Sequence, residues 1–254
     1  KRLIKVHPMS LPSNKFQKIL IVRLSSLGDI VHTIPSQQSI KQQWPQSEIH
    51  WLTQPPYDSF LKSVPGISKV WLADTQRWKQ QPLSLRKGIP LIKSLRSEQF
   101  DITLDFQGLL KSAALSRLSG AHRVIGLPPG RFQEPAAHYF YSETVASDEE
   151  SHPHVIESNF QLALFLGCSK ETLSPTIPLN ISSADLHYVN EHLDRLEIKN
   201  PVLINPGAGW VTKRWPMKSY AQLFIKIREE LDLPVVFTYG PGEELLIEQI
   251  RSEV

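Results

Sequence analysis

Short apolar runs separated by polar, turn-forming stretches recur along the chain. Residues 18–24 (KILIVRL), 48–53 (EIHWLT), 69–73 (KVWLA), 100–106 (FDITLDF) and 123–126 (RVIG) read as short strands, 100–106 as a buried one. Helical spacing fills the intervals. Ile30, Ile34 and Ile40 line one face after the first run, residues 83–95 suit a helix that Pro90 kinks or ends, and residues 109–118 suit another after Gly108. Parallel neighbours need a crossover connection, so strands alternating with helices predict a parallel sheet covered on both faces. A polar loop at 147–154 leads into a helix over 155–165 with Ile156, Phe160, Ala163 and Leu164 on one side.

Past a proline-containing linker at 175–183 the cycle restarts. A helix over 184–196, a strand over 201–205, a glycine-rich loop, a helix with Tyr220, Leu223, Phe224, Ile227 and Leu231 on one face, and a strand over 235–239 follow in order. The chain ends at Val254 in what reads as the middle of the next helix. Residues 1–17 are basic, carry Pro8 and Pro12 and show no periodicity, so they read as an irregular extension.

The chain of 254 residues is 41% hydrophobic and 21% charged, enough to bury a sizeable core, which excludes disordered and fibrous classes. No apolar run nears the roughly 20 residues of a membrane span, and the expectation is a cytoplasmic protein. Cys168 is the single cysteine, so no internal disulfide forms; within an apolar stretch it reads as packing. The net charge of +3 is spread without a basic tract, which argues against nucleic acid as a partner and agrees with anionic small molecules. His152 and His154 lack a third ligand nearby in sequence, so neither metal nor cofactor is expected.

Four segments carry candidate chemistry. Ser26-Leu-Gly-Asp29 closes the first strand and has the spacing of a capping box; alternatively Asp29 is a general base facing a cleft, with His32 one turn on as an orienting group or a packed ring. Asp105-Phe-Gln-Gly-Leu-Leu-Lys111 is a second strand exit, with Lys111 as an anion ligand or plain surface charge. The loop 205–216 (NPGAGWVTKRWP) brings Gly207, Ala208 and Gly209 before a helix N-terminus, a setting for phosphate, with Lys213 or Arg214 as the cation. Glu243 or Glu244, after the next strand, is a ribose ligand or a first-turn carboxylate. The first loop reads SSLGD, not GxGxxG, which argues against a dinucleotide oxidoreductase.

Ser25-Ser-Leu-Gly-Asp-Ile-Val-His-Thr-Ile-Pro35, Asp105-Phe-Gln-Gly-Leu-Leu-Lys-Ser-Ala-Ala114, His154-Val-Ile-Glu157 and Lys213-Arg-Trp-Pro216 resemble, in the same order, motifs of the bacterial lipopolysaccharide heptosyltransferases, heptosyltransferase I in particular. The resemblance implies an α/β fold of GT-B type, two Rossmann-like domains with parallel sheets. Residues 18–174 are then the acceptor-binding domain, and 184–254 the start of a donor domain left incomplete before a D-[ST]-G-x-x-H motif. It implies inverting, metal-independent transfer of heptose from ADP-heptose to the Kdo of lipid A–Kdo, with a transient contact at the inner leaflet of the membrane. Asp29 matches the catalytic base and Lys213 the lysine that neutralises the leaving ADP. Gly207, Ala208, Gly209 and Glu243 fall on the donor side; Ser26, Gly28, Lys111, Arg77 and Arg131 fall on the acceptor side. A related transferase using another sugar or acceptor, and a non-catalytic acceptor-binding fragment, are the competing readings. These residues alone are expected to transfer sugar poorly.

Overall fold

The computed structural model of the chain describes residues 16–80, 86, 88–128, 134–145, 154–174, 176–209 and 211–254. Two compact units divide it, Lys1–Asn180 and Ile181–Val254.

In the first unit, β1 (Lys18–Val22), β2 (Glu48–Thr53), β3 (Lys69–Leu72), β4 (Ile102–Asp105), β5 (Arg123–Gly126) and β6 (Glu143–Thr144) form one sheet in the order β3-β2-β1-β4-β5-β6, every pair parallel. Val22 aligns with Leu52 on one side and Asp105 on the other, and Asp105 aligns with Gly126. Alternation along β1 serves two cores. Ile19 and Ile21 join Trp51, Leu104 and Ile125 beneath Ile30, Ile34, Phe160 and Leu162, whereas Leu20 and Val22 join Leu52, Val124, Leu95 and Leu115 on the opposite face. Removing that apolar surface from water at about 25 cal/mol per Å² is the main force that holds the sheet between its helices.

The connection after β1 contains two helices, α1 (Leu27–Val31) and α2 (Ile34–Gln43), where a single apolar face was expected; Ile30, Ile34 and Ile40 are all buried. Between the sheet strands run α3 (Asp58–Lys62), α4 (Thr75–Gln80), α5 (Gly88–Ser97) and α6 (Leu110–Leu118), and α7 (Val155–Phe165) returns to pack on α2. Pro90 does not kink or end its helix. It lies in the first turn of α5, where its missing N–H has no intrahelical partner to lose.

The second unit contains α8 (Ser183–Arg195), capped by the Ser182 hydroxyl at 3.0 Å from the Asp185 amide, then β7 (Val202–Ile204), α9 (Met217–Leu231), β8 (Val235–Phe237) and α10 (Glu244–Ser252). β7 and β8 pair in parallel with Ile204 opposite Phe237. Ile204, Ala221, Ile227 and Ile250 are its buried apolar side chains among the described residues. The last helix runs to Ser252, and the amides of Glu253 and Val254 donate to the carbonyls of Ile250 and Arg251. Among the described residues no helix is long and apolar enough to cross a membrane.

Candidate active site

In a sheet ordered 3-2-1-4-5-6 the chain reverses its direction of travel between β1 and β4, and open parallel sheets bind ligands outside the carboxyl ends of the strands at that reversal. The two segments singled out at strand exits, 23–29 and 105–111, both lie there.

Ser26 and Asp29 form the capping box that the spacing predicts. The Ser26 N–H and hydroxyl each donate to Asp29 Oδ2 at 3.0 Å. Oδ1 has a different partner: Arg23 Nη2 lies 3.0 Å away. Capping therefore does not consume the carboxylate, whose side chain remains 37% exposed. Burial pushes its pKa up, but the Ser26 amide, the Arg23 charge and the Ser26 hydroxyl outweigh burial, and Asp29 sits below the ordinary aspartate value. An ionised, half-exposed carboxylate is what a proton acceptor needs. Ser26 and Gly28 are exposed beside it.

Arg23 is buried and also donates through Nη1 to the Phe106 carbonyl just past β4. The β4 exit is organised by Asp105, which is fully buried. Its Oδ1 accepts the amides of Gln107 and Gly108 at 2.8 and 3.3 Å, and its Oδ2 accepts the Tyr141 hydroxyl at 2.8 Å. Burial raises the Asp105 pKa against these bonds, and burial with the Asp105 charge beside it drives the Tyr141 phenol upward. Gln107 Oε1 accepts the Leu24 amide at 2.8 Å, tying the two exits together. Asp105 is thus a scaffold group sealed from substrate.

His32 is a packed ring. It meets His154 edge-to-face at 5.6 Å, while Asn159 of α7 donates to the His32 carbonyl and the Thr33 hydroxyl, each at 3.2 Å. His154 caps α7, its Nδ1 accepting the Ile156 amide and its own amide donating to Glu157. Lys111 is exposed in the first turn of α6, and Arg77 is exposed in α4 beyond β3, its amide on Asp74 Oδ1 at 3.1 Å. Arg131 and His152 lie outside the described residues. Among the described residues no group of three or more His, Cys, Asp or Glu is placed to hold a metal ion.

The second unit gathers its own candidates at the carboxyl ends of β7 and β8. Asn205 folds the loop back, accepting the Gly207 amide at 3.0 Å and donating to the Thr238 hydroxyl at 3.2 Å. Arg214 is spent on the loop, its Nε and Nη2 both on the Ala208 carbonyl at 3.1 and 3.0 Å. Lys213, by contrast, is exposed at the end of a 3-10 turn and makes no hydrogen bond or ion pair among the described residues. Glu243 lies over Gly207 so closely that a Cβ there would come within 2.3 Å of its Oε2, which also accepts the Gly240 amide at 2.9 Å. Glu244 merely opens α10. Pro216 precedes α9 as its cap, one position before the first turn expected of it, and no side chain caps the helix. Open space surrounds Gly209.

The family model of glycosyltransferase family 9 (heptosyltransferase) matches residues 89–253. The chain belongs to glycosyltransferase family 9. Among relatives of the family, the chain is 27% identical over 238 residues to the lipopolysaccharide core heptosyltransferase OpsX of Haemophilus influenzae, covering 93% of the chain and 64% of that protein. It is 29% identical over 212 residues to lipopolysaccharide heptosyltransferase 1 of Pseudomonas aeruginosa, covering 81% and 56%. The chain thus spans about three fifths of the length of these curated relatives. The structure of E. coli heptosyltransferase WaaC with ADP-2-deoxy-2-fluoro heptose is similar at a TM-score of 0.72 and 22% identity, over 92% of the chain and 72% of WaaC, and supports the α/β fold of GT-B type. Two features of this family 9 chain escaped sequence reading, the Arg23–Asp29 pair and the Asp105–Tyr141 bond. A charged residue inside the apolar run KILIVRL was a usable signal, since a buried charge needs a partner.

Proposed function

We propose that the protein transfers a heptose from ADP-heptose to the Kdo of a lipid A–Kdo acceptor, with inversion and without a metal. One observation carries the reading: Asp29, ionised and accessible, stands where the two strand exits of the ligand-binding edge meet. Asp29 takes the proton of the acceptor hydroxyl as that oxygen attacks the anomeric carbon. The bond from that carbon to the diphosphate breaks, and ADP leaves with the bonding electrons. Lys213 supplies positive charge to the departing diphosphate, Gly207, Ala208 and Gly209 supply backbone donors, and Glu243 accepts from ribose hydroxyls. Ser26, Gly28, Lys111, Arg77 and Arg131 form the acceptor side, where cations suit an anionic sugar. The acceptor domain is assigned to 18–174 and the opening of the donor domain to 184–254. A lipid acceptor brings the protein transiently to the inner leaflet, and the net charge of +3 suits an anionic surface.

The similarity to heptosyltransferases named for lipopolysaccharide supports this choice of sugar and acceptor. Calorimetric titration with ADP, UDP and NAD, followed by product analysis of the complete protein with ADP-heptose and lipid A–Kdo, tests it. ADP binding and a heptosylated product are expected; binding of NAD without ADP, or product from another nucleotide sugar alone, overturns it.

A further inference from the structure

Arg23 is a costly residue where it stands. It is 6% exposed, it directly follows the buried central strand β1, and its Nε has no hydrogen-bond partner among the described residues. A guanidinium in such a setting loses hydration that two hydrogen bonds only partly restore. Both bonds point to the chemistry. Nη1 is anchored on the Phe106 carbonyl at the β4 exit, and Nη2 reaches Asp29 Oδ1 at 3.0 Å.

We infer that Arg23 is the positioning residue of the Asp29 base, a brace from the β4 exit that fixes the carboxylate's orientation and keeps it ionised until the acceptor hydroxyl arrives. The inference rests on the reading of Asp29 as the base. Ser26 occupies Oδ2 twice over, so Oδ1 is the oxygen with capacity left for a hydroxyl, and Arg23 is the group that holds it. The fork of the guanidinium matters because its two nitrogens serve different strand exits at once; an ammonium is a single point and cannot span both in the same geometry. Arg23 donates before and after transfer and moves no proton itself. Among the described residues the charged group on the carboxylate is Arg23, and the Asp105 charge in turn favours the charged guanidinium of Arg23.

The test uses Arg23→Met, which keeps the apolar stem, and Arg23→Lys, which keeps the charge. The Asp29 carboxyl is titrated by NMR, assigned by loss of its signal in Asp29→Asn, and transfer by the complete protein is followed against pH. In Arg23→Met the Asp29 pKa should rise, the acid limb of the transfer profile should rise with it, and kcat should fall about 10- to 100-fold with donor KM unchanged. In Arg23→Lys the pKa should stay low while kcat falls by a smaller factor. Should Met prevent folding, Arg23→Lys carries the test alone, and wild-type kcat in it overturns the brace. An unmoved Asp29 pKa in Arg23→Met overturns the role of Arg23 and leaves Asp29 as base intact. A raised pKa with an unmoved acid limb overturns Asp29 as the base, and the catalytic role of Arg23 with it.

Discussion

Gly126 is where the scaffold of the site is most exposed to a single methyl group. It pairs with Asp105 across β4 and β5, and a Cβ built on it would stand 2.2 Å from Cε2 and 2.4 Å from Cδ2 of Tyr141, the residue whose hydroxyl satisfies Asp105. The ring is partly buried against the core cluster and cannot yield without carrying its hydroxyl away from Asp105. Gly126→Ala therefore adds overpacking of about 1–3 kcal/mol and the loss of a partner on a buried carboxyl, about 1–3 kcal/mol. The backbone of Gly126 is not in the left-handed region, so alanine brings no conformational strain and would by itself restrict the unfolded chain, offsetting roughly 0.4–1 kcal/mol. A net loss of about 3 kcal/mol should lower the melting temperature by about 6–12 °C in a protein of this size. The cost belongs to Tyr141, so a double-mutant cycle isolates it: in a Tyr141→Ala background Gly126→Ala should cost less than 1 kcal/mol, give or take about half. A melting temperature within about 2 °C of wild type for Gly126→Ala, or an equal cost in both backgrounds, would refute the packing argument.

Lys213→Ala should weaken ADP binding about tenfold with little change in melting temperature, because its ammonium makes no protein bond among the described residues, whereas Arg214→Ala should loosen the loop it ties to Ala208. Calorimetry beside thermal melts separates the two, and equal effects would contradict the assignment. Glu243→Gln should reduce ADP affinity and Glu244→Gln should not, since Glu243 is the carboxylate seated on Gly207. Glu98 is held down to about 2 by hydrogen bonds from Lys18 and Lys69. Its folded pKa is depressed, so its contribution is present above the unfolded value near 4.5 and is lost as pH falls towards 2. The contribution is at most about 3 kcal/mol, and less after solvent screening of the half-exposed Lys69. Glu98→Gln should flatten acid unfolding between those two pH values, and an unchanged acid profile would remove Glu98 as a determinant.

The strands and the order of the motifs were legible in the sequence for a physical reason: in a parallel sheet covered on both sides, strands read as continuous apolar runs, and β1 and β4 are such runs, whereas the edge strand β3 is marked only by its apolar centre Val70-Trp71. The capping box was legible because it depends on local spacing alone. The short elements α3, α4 and β6 were not, since five, six and two residues hold too little periodicity to stand out. Arg23 to Phe106 and Tyr141 to Asp105 join residues 83 and 36 positions apart, so they exist only once the sheet has closed. Glu243 and Glu244 were equivalent in sequence because both precede or open a helix. The register that sets Ile204 opposite Phe237 brings the following loops side by side and lets only Glu243 meet Gly207.

The role of Asp29 is tested most directly by Asp29→Asn, which keeps the shape and the hydrogen bond from Ser26 while removing the base. Transfer of heptose by the complete protein is measured together with ADP binding. A loss of about 10²- to 10⁴-fold in turnover with ADP affinity unchanged is expected; turnover within a few-fold of wild type would contradict the assignment of Asp29 as the base.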